Sequence, residues 1–229
     1  MSQNKITIDV VSDVACPWCY VGKRRLEAAL NDWNGAPVEV NWHPFQLDPS
    51  MRAEGMNRET YLTSKFGSID RVQQMVDHLS SVGESVGIDF DFGDNWLAVN
   101  TLEMHQLMHA AREEGFDDQL KERFLSGYFV ETKHLNKREE LYAILNDFGW
   151  ENSKVDSIIA DEQIAQKVQA EIAHYQNRGV SGVPFFVFND EFGVSGAQPS
   201  EVFLEALQSL SPVDEIASGD TCDSETGEC

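Results

Sequence analysis

Residues 6–11, Ile6-Thr7-Ile8-Asp9-Val10-Val11, are rich in β-branched side chains and predict a strand. From Pro17 onward the apolar positions take helical spacing, with Leu26, Ala29 and Leu30 on one face, and Asn34-Gly35-Ala36-Pro37 ends the stretch. Val38-Glu39-Val40-Asn41-Trp42 then alternates apolar and polar, the period of a half-buried strand. Together these make a βαβ opening. A second strand-rich block lies near the far end. It comprises Pro184-Phe185-Phe186-Val187-Phe188, a turn at Asn189-Asp190-Glu191 and a hairpin partner Phe192-Gly193-Val194-Ser195. A last helix is expected from near Pro199, with Phe203, Ala206, Leu207 and Leu210 on one face.

A compact domain does not hold a structureless loop as long as the stretch between these blocks. Helical stripes recur there instead: Val72, Met75, Val76, Leu79; Met104, Leu107, Met108, Ala111; and Leu141, Ile144, Leu145, Phe148. Asn100 with Glu103, and Asn136 with Glu139, have the spacing of N-caps with capping-box partners. The expected architecture is an α/β domain, residues 1–47 plus 178–210, split by an all-helical insertion domain at 48–177. Residues 211–229 are acidic and poor in large apolar side chains, and a mobile tail is expected there.

Charge narrows the function classes. Lys+Arg 17 against Asp+Glu 39 leaves a formal net charge of −22, which repels phosphate backbones and argues against a nucleic-acid partner. No run approaches the roughly 18 consecutive apolar residues of a membrane span. Met1-Ser2-Gln3-Asn4-Lys5 shows no secretory-signal pattern, so a cytoplasmic location with no membrane partner is expected. Nothing in the sequence sets an oligomeric state.

The four cysteines supply candidate chemistry. Two form Cys16-Pro17-Trp18-Cys19, and two, Cys222 and Cys229, lie in the tail. Four in a long cytosolic chain do not make a structural disulfide framework, and such cysteines are more often catalytic or metal-binding. With the helix starting at Cys16, Pro17 becomes the first helical residue, where its missing N–H costs nothing. The Cys16 sulfur then stands where an N-cap oxygen would, facing the N–H groups of Trp18 and Cys19 and the positive end of the helix dipole. A helix terminus supplies up to about 2 kcal/mol, enough to move a cysteine from about 8.5 to near 7. Cys19 is one turn further along the same face, within disulfide reach. Cys16 is therefore expected to be the attacking thiolate and Cys19 the resolving thiol, with no metal or organic cofactor. Trp18 adds no charge, so a milder oxidant is expected than a histidine in its place would give. A CxxC also serves as half a zinc site, completed by the tail cysteines or a histidine; the strand-to-helix position and Pro17 favour redox use.

A second motif, Arg178-Gly179-Val180-Ser181-Gly182-Val183-Pro184, leads into the late strand, where a proline at a strand start calls for a reason. Two stretches together, Ala15-Cys16-Pro17-Trp18-Cys19-Tyr20-Val21-Gly22-Lys23 and Gly179-Val180-Ser181-Gly182-Val183-Pro184-Phe185-Phe186, resemble the DsbA-like branch of the thioredoxin superfamily. The resemblance is to its FrnE-like cytosolic members. It extends through His43-Pro44-Phe45-Gln46-Leu47, Asn100-Thr101-Leu102-Glu103-Met104-His105 and Val194-Ser195-Gly196-Ala197-Gln198-Pro199. It implies a thioredoxin fold split by a helical domain. It also implies a cis Val183–Pro184 peptide against the dithiol, and a loop that lays a substrate strand beside the active site through the main-chain groups of Val183.

The resemblance leaves the proton route open, because better-known thioredoxin-fold enzymes carry a proton-handling carboxylate where this chain has Val10. Asp13 either takes the proton of Cys19 or serves as a loop and capping aspartate. His43, His105 and His109 read as packing residues. Trp18 and Tyr20 form an apolar docking surface, or Tyr20 packs into the core. Asp220, Asp223, Glu225 and Glu228 should raise the pKa values of the tail thiols, and a disulfide of high-pKa thiols resists reduction. As a flexible coil the tail has a root-mean-square reach of about 20 Å. Three roles for Cys222 and Cys229 stay open: a secondary redox pair feeding electrons to an oxidised Cys16–Cys19, a closed tail disulfide, or metal ligands.

The expected activity is thiol–disulfide oxidoreduction or isomerisation on protein or peptide thiols by mixed disulfide at Cys16, with glutathione a candidate co-substrate. Two rivals remain. One is a glutathione-dependent isomerase or transferase of the 2-hydroxychromene-2-carboxylate isomerase or kappa-class type, whose members typically carry serine at the position of Cys16. The other is a non-enzymatic chaperone or binding module.

Overall fold

The computed structural model describes residues 5–210, and the expectations for the tail and for Cys222 and Cys229 lie outside these described residues. Strand β1 (Ile6–Ser12) is followed by helix α1 (Pro17–Asp32) and strand β2 (Val38–Pro44). β1 and β2 are parallel, in register from Ile6 opposite Val38 to Ser12 opposite Pro44. At the end of α1, Trp33 folds back and donates from Nε1 to the Ala36 carbonyl at 2.8 Å. Its ring fills the space where a side chain on Gly35 would stand, so this turn tolerates only glycine there.

The chain then leaves the sheet. A two-residue strand β3 (Met56–Asn57) precedes helices α2 (Arg58–Phe66) and α3 (Ile69–Ser85). Strand β4 (Leu97–Ala98) pairs antiparallel with β3, so the region expected to be all helical also holds a short ladder. Helices α4 (Leu102–Glu114), α5 (Asp117–Phe129), α6 (Arg138–Asn146) and α7 (Asn152–Ile159) follow. Neither expected capping box forms. Thr101, not Asn100, holds the N-cap position of α4, and Asn100 Oδ1 accepts from Leu102 N one position early, at 2.9 Å. Asn136 instead spends its amide on the Ala53 carbonyl at 3.0 Å, and Lys137 holds the N-cap position of α6. The Asn100 amide also donates to the Met51 carbonyl at 2.9 Å, so in both cases a tertiary hydrogen bond fixes the asparagine side chain.

Helix α8 (Glu162–Asn177), capped by Asp161, returns the chain to the sheet. Strands β5 (Phe185–Phe188) and β6 (Phe192–Ser195) form the expected hairpin, and helix α9 (Ser200–Ser209) follows. Asn189 and Asp190 both adopt left-handed backbone in the turn, which their short polar side chains tolerate. The sheet order is β2-β1-β5-β6, with β5 antiparallel to β1 and Val10 opposite Phe186.

Both faces of this sheet are covered, as expected for a strand with apolar residues on consecutive positions. On one face Ile8, Val10, Phe186 and Phe188 pack with Leu26, Phe203 and Leu207 of α1 and α9. On the other, Val11 and Val187 meet Tyr175 of α8, which therefore covers the sheet although it lies within 48–177. The first core continues without a break into Met104, Leu107, Phe124 and Leu141 of the inserted helices.

Candidate active site

Cys16 occupies the N-cap of α1 in extended backbone (φ −103°, ψ 109°) with Pro17 first in the helix, as the motif predicted. The Cys19 amide donates to the Cys16 carbonyl at 3.0 Å, placing both thiols on the first turn. One expectation fails: the Cys16 side chain makes no capping hydrogen bond. Its Sγ instead lies 3.5 Å from the Val183 carbonyl, across the loop that precedes β5, and as a thiol it donates there. Val183–Pro184 is cis. Both thiols are free and buried, Cys16 at 4% and Cys19 at 1% exposure, but only Cys16 borders the groove described below.

The charge distribution of the pair also departs from the dipole argument. The hydrogen bond between the two sulfurs and burial hold Cys16 well above the ordinary cysteine range. For Cys19 burial acts the same way but is outweighed by the Cys16 hydrogen bond and the positive Lys121, which bring it below that range. The two thiols act on each other's ionisation, which belongs to the pair rather than to Cys16 alone.

Gly22, one turn beyond Cys19, explains how the proline loop comes so near. A Cβ at Gly22 would meet Pro184 Cγ at 3.0 Å and Phe186 Cζ at 3.1 Å, so a bare backbone is what lets Pro184 close on α1. The loop is held from behind by Gly196 N–H donating to the Pro184 carbonyl at 2.9 Å.

Asp13 resolves as the loop aspartate, not as a free proton acceptor. Its Oδ2 accepts from Leu47 N at 2.8 Å, and Oδ1 accepts from Ala15 N at 3.3 Å and from His105 Nε2 at 3.2 Å. His105 Nε2 also lies 2.9 Å from the Phe45 carbonyl; both neighbours are acceptors, so this nitrogen carries the hydrogen. Burial opposes ionisation of Asp13, yet the bond and charge of His105 with the Leu47 amide hold its carboxyl below the usual range. His43 is spent structurally, Nδ1 on Glu171 at 2.5 Å and Nε2 on Asp9 at 3.0 Å. Tyr20 packs inside, its hydroxyl donating to Glu122 at 2.7 Å. Among the described residues no further metal-ligating group joins Cys16 and Cys19.

Beside Cys16 and Val183 opens an apolar groove of about 270 Å³. Trp18 forms one wall, while Tyr61, Phe66, Val72, Met75 and Trp96 from the inserted region form the other. The Val72-Met75-Val76-Leu79 stripe of α3, predicted as the apolar face of a helix, is partly a groove wall, with Met75 40% exposed. His78 on the same helix stands 5.9 Å from the Trp18 ring. Sequence reasoning missed the groove, His78 and, above all, Lys121, which is 1% exposed behind Cys19. A signal for Lys121 existed: it falls in register with Leu120, Phe124, Leu125 and Tyr128 on the apolar face of α5.

A free dithiol at a helix start, faced by a cis-proline loop on a β2-β1-β5-β6 sheet, fits one kind of protein, and residues 7–208 match the DSBA-like thioredoxin domain. The chain belongs to the DsbA-like thioredoxin family. It is 32% identical to a probable DsbA oxidoreductase from Streptomyces coelicolor, with a TM-score of 0.84 over 96% of this chain and 97% of that one. A cytosolic disulfide reductase, DsbM, from Pseudomonas aeruginosa, solved with GSH, shares the fold at 18% identity. Its TM-score is 0.63, over 89% of this chain and 100% of that one. The uncharacterized protein YwbO of Bacillus subtilis is 23% identical over 203 residues, 88% of this chain and 96% of that protein. As in other DsbA-like thiol–disulfide oxidoreductases, no prosthetic group is called for. None of the helices described is long and apolar enough to cross a membrane.

Proposed function

We propose that this DsbA-like protein exchanges disulfides with protein or peptide thiols through Cys16 and Cys19, in the cytosol. The observation that carries the reading is the Cys16 sulfur set at the mouth of the apolar groove, 3.5 Å from the Val183 carbonyl, with Cys19 behind it. In the oxidising direction a substrate thiolate attacks Cys16 Sγ. The Cys16–Cys19 bond breaks and its electron pair leaves on Cys19. The substrate's second thiolate then attacks its own sulfur in the mixed disulfide and releases Cys16 as thiolate, so the substrate loses two electrons and the enzyme gains them. In the reducing direction the same steps run backwards, Cys19 resolving. Main-chain groups of Val183 align the substrate strand, because Pro184 has no N–H to offer.

The groove points to apolar residues flanking the substrate cysteine. Its described lining includes no lysine or arginine to receive the carboxylates of glutathione, so glutathione fits better as a regenerating co-substrate than as the groove's occupant. Division of labour follows the same lines: the sheet with α1, α8 and α9 carries the dithiol, and the inserted region supplies the facing wall. Cys222 and Cys229 remain a proposed secondary redox pair.

The test is a glutathione-buffer titration of the dithiol in a variant with both tail cysteines replaced by serine. A reversible two-electron transition supports the reading. A potential above the cytosolic poise of roughly −220 to −320 mV marks an oxidant or isomerase, and one below it a reductant. A folded protein with no transition refutes it. Cys19→Ser should also trap substrate on Cys16 as a stable mixed disulfide.

A further inference from the structure

Lys121 is the one lysine buried in the region of the dithiol that forms no salt bridge among the described residues. Lys23, nearly as buried, is ringed by Glu27, Asp118 and Glu122. Lys121 is 1% exposed, and its ammonium sits 5.6 Å from the centroid of the Trp42 ring on β2. An ammonium without a carboxylate partner is costly to bury. Replacing it with an apolar side chain would stabilise the core, so its presence calls for another account.

The surroundings give one. Trp42 stands opposite Val10 of β1, and His105, which shares a small cavity with Lys121, bonds Asp13, so Lys121 lies on the dithiol's side of α5. The charges of Cys19, Asp13 and Cys16 act on it, while Lys23 of α1 opposes them. Burial pushes its ammonium down, and the sulfurs and Asp13 act to hold the proton on. Asp13 already accepts from Leu47, Ala15 and His105, and its carboxyl is held below the usual range, which makes it a weak base for the Cys19 proton. Ser12 Oγ, buried at the end of β1 with no other hydrogen-bond partner, also acts on Cys19 and favours its thiolate.

Lys121 also borders a partly open space of about 10 Å³, close to the size of a single water. His105, His109 and Arg112 of α4, His43 of β2 and Glu171 of α8 complete its polar wall. Two of these, His109 through Nδ1 and Arg112 through Nε, carry buried nitrogens without a hydrogen-bond partner. Glu171 and Arg112 are only partly buried, so the chain of polar groups runs from the core toward solvent.

We propose that Lys121 is the charge and proton partner of Cys19, and that the small polar space behind it is the route by which that proton exchanges with solvent. The proposal rests on the dithiol reading above. When a substrate thiolate opens the Cys16–Cys19 bond, the electron pair leaving on Cys19 is met by the Lys121 ammonium, which stabilises the thiolate or passes it a proton and recovers one through the polar space. In the reverse direction the amine takes the Cys19 proton as Cys19 attacks Cys16 of the mixed disulfide, and the released substrate thiolate is protonated from solvent. Lys121 thereby supplies from the inserted helices the function for which β1 offers only Val10.

The experiment compares wild type, Lys121→Met and Lys121→Gln, all lacking the tail cysteines. Thiolate absorbance is followed against pH, and the exchange equilibrium with glutathione is measured above the ionisation. Loss of a buried opposite charge should raise the first ionisation of the pair by about one unit or more. The exchange equilibrium should shift about tenfold toward the reduced state being disfavoured, or about 30 mV more reducing. The thermal midpoint should stay level or rise, whereas a merely structural lysine would lower it. Neutral variants that fold and leave ionisation and equilibrium within threefold of wild type overturn the proposal. Wild type itself gives an answer independent of folding of the variants. The Lys121 side-chain NMR signal should titrate higher in the reduced than in the oxidised protein, and identical titrations overturn the proposal. If wild type shows a reversible dithiol transition while these readouts do not move, Lys121 alone is refuted; if it shows no transition, the dithiol reading falls too.

Discussion

Removing the Asp13 carboxylate should destabilise the protein severely although both cysteines stay in place. The side chain is 1% exposed and accepts from Leu47 N, Ala15 N and His105 Nε2. A hydrogen bond to a charged group contributes about 1.5–3 kcal/mol, but the three share one carboxylate and do not add. Leaving a buried donor without its acceptor costs about 1–3 kcal/mol. Asp13→Ala strands up to three such donors and is therefore expected to lose about 3–5 kcal/mol. Asp13→Asn keeps the shape but turns an NH₂ toward one of the three donors, so a loss of about 2–4 kcal/mol is expected, from one stranded donor and the charge lost to the other two. Urea unfolding at pH 7 measures this as a lowered midpoint with unchanged slope. The sign with pH follows from the lowered carboxyl. The advantage of wild type over Asn is full above the unfolded aspartate value of about 3.9 and is lost as pH falls through the lower folded value. A difference below about 1 kcal/mol at pH 7, less than one charged hydrogen bond, or one that grows on acidification, would refute this account.

Gly22→Ala sets a gain of up to about 1 kcal/mol in helix propensity against overpacking of about 1–3 kcal/mol on Pro184 and Phe186. The expected net loss is small, but dithiol exchange should slow because the proline loop is pushed from Cys16; stopped-flow reduction against thermal melting separates the two. Met75→Glu, at a 40% exposed groove wall, should change stability by no more than about 0.5 kcal/mol. It should raise KM for peptides with apolar residues beside the cysteine while leaving exchange with a small dithiol unchanged.

Much of the fold was legible in the order of residues because the signals are local. The β-branched run of β1, the Pro17 start of α1 and the Asn189-Asp190 turn each act within a few positions, and no tertiary contact overrode them. The dithiol itself is a spacing, three residues on one helical turn, and survives intact. Capping was less legible: Asn136 had a distant carbonyl on Ala53 to satisfy, and the local box lost.

The acidity of the pair was misjudged for a related reason. The helix dipole is visible in sequence, but the Val183 carbonyl 167 residues away, the burial of both sulfurs and the Lys121 charge are not. Periodicity reports that a face is apolar without saying what it meets. That is why the periodicity of α3 does not show that part of its apolar face walls a groove, and why the pattern of α5 does not show what the buried Lys121 meets. The sequence by itself determined the scaffold and the place of the dithiol at the start of its first helix. Only the tertiary structure decided what surrounds them, because burial and electrostatics at the dithiol come from β1, β5 and α5, segments distant along the chain that packing brings together.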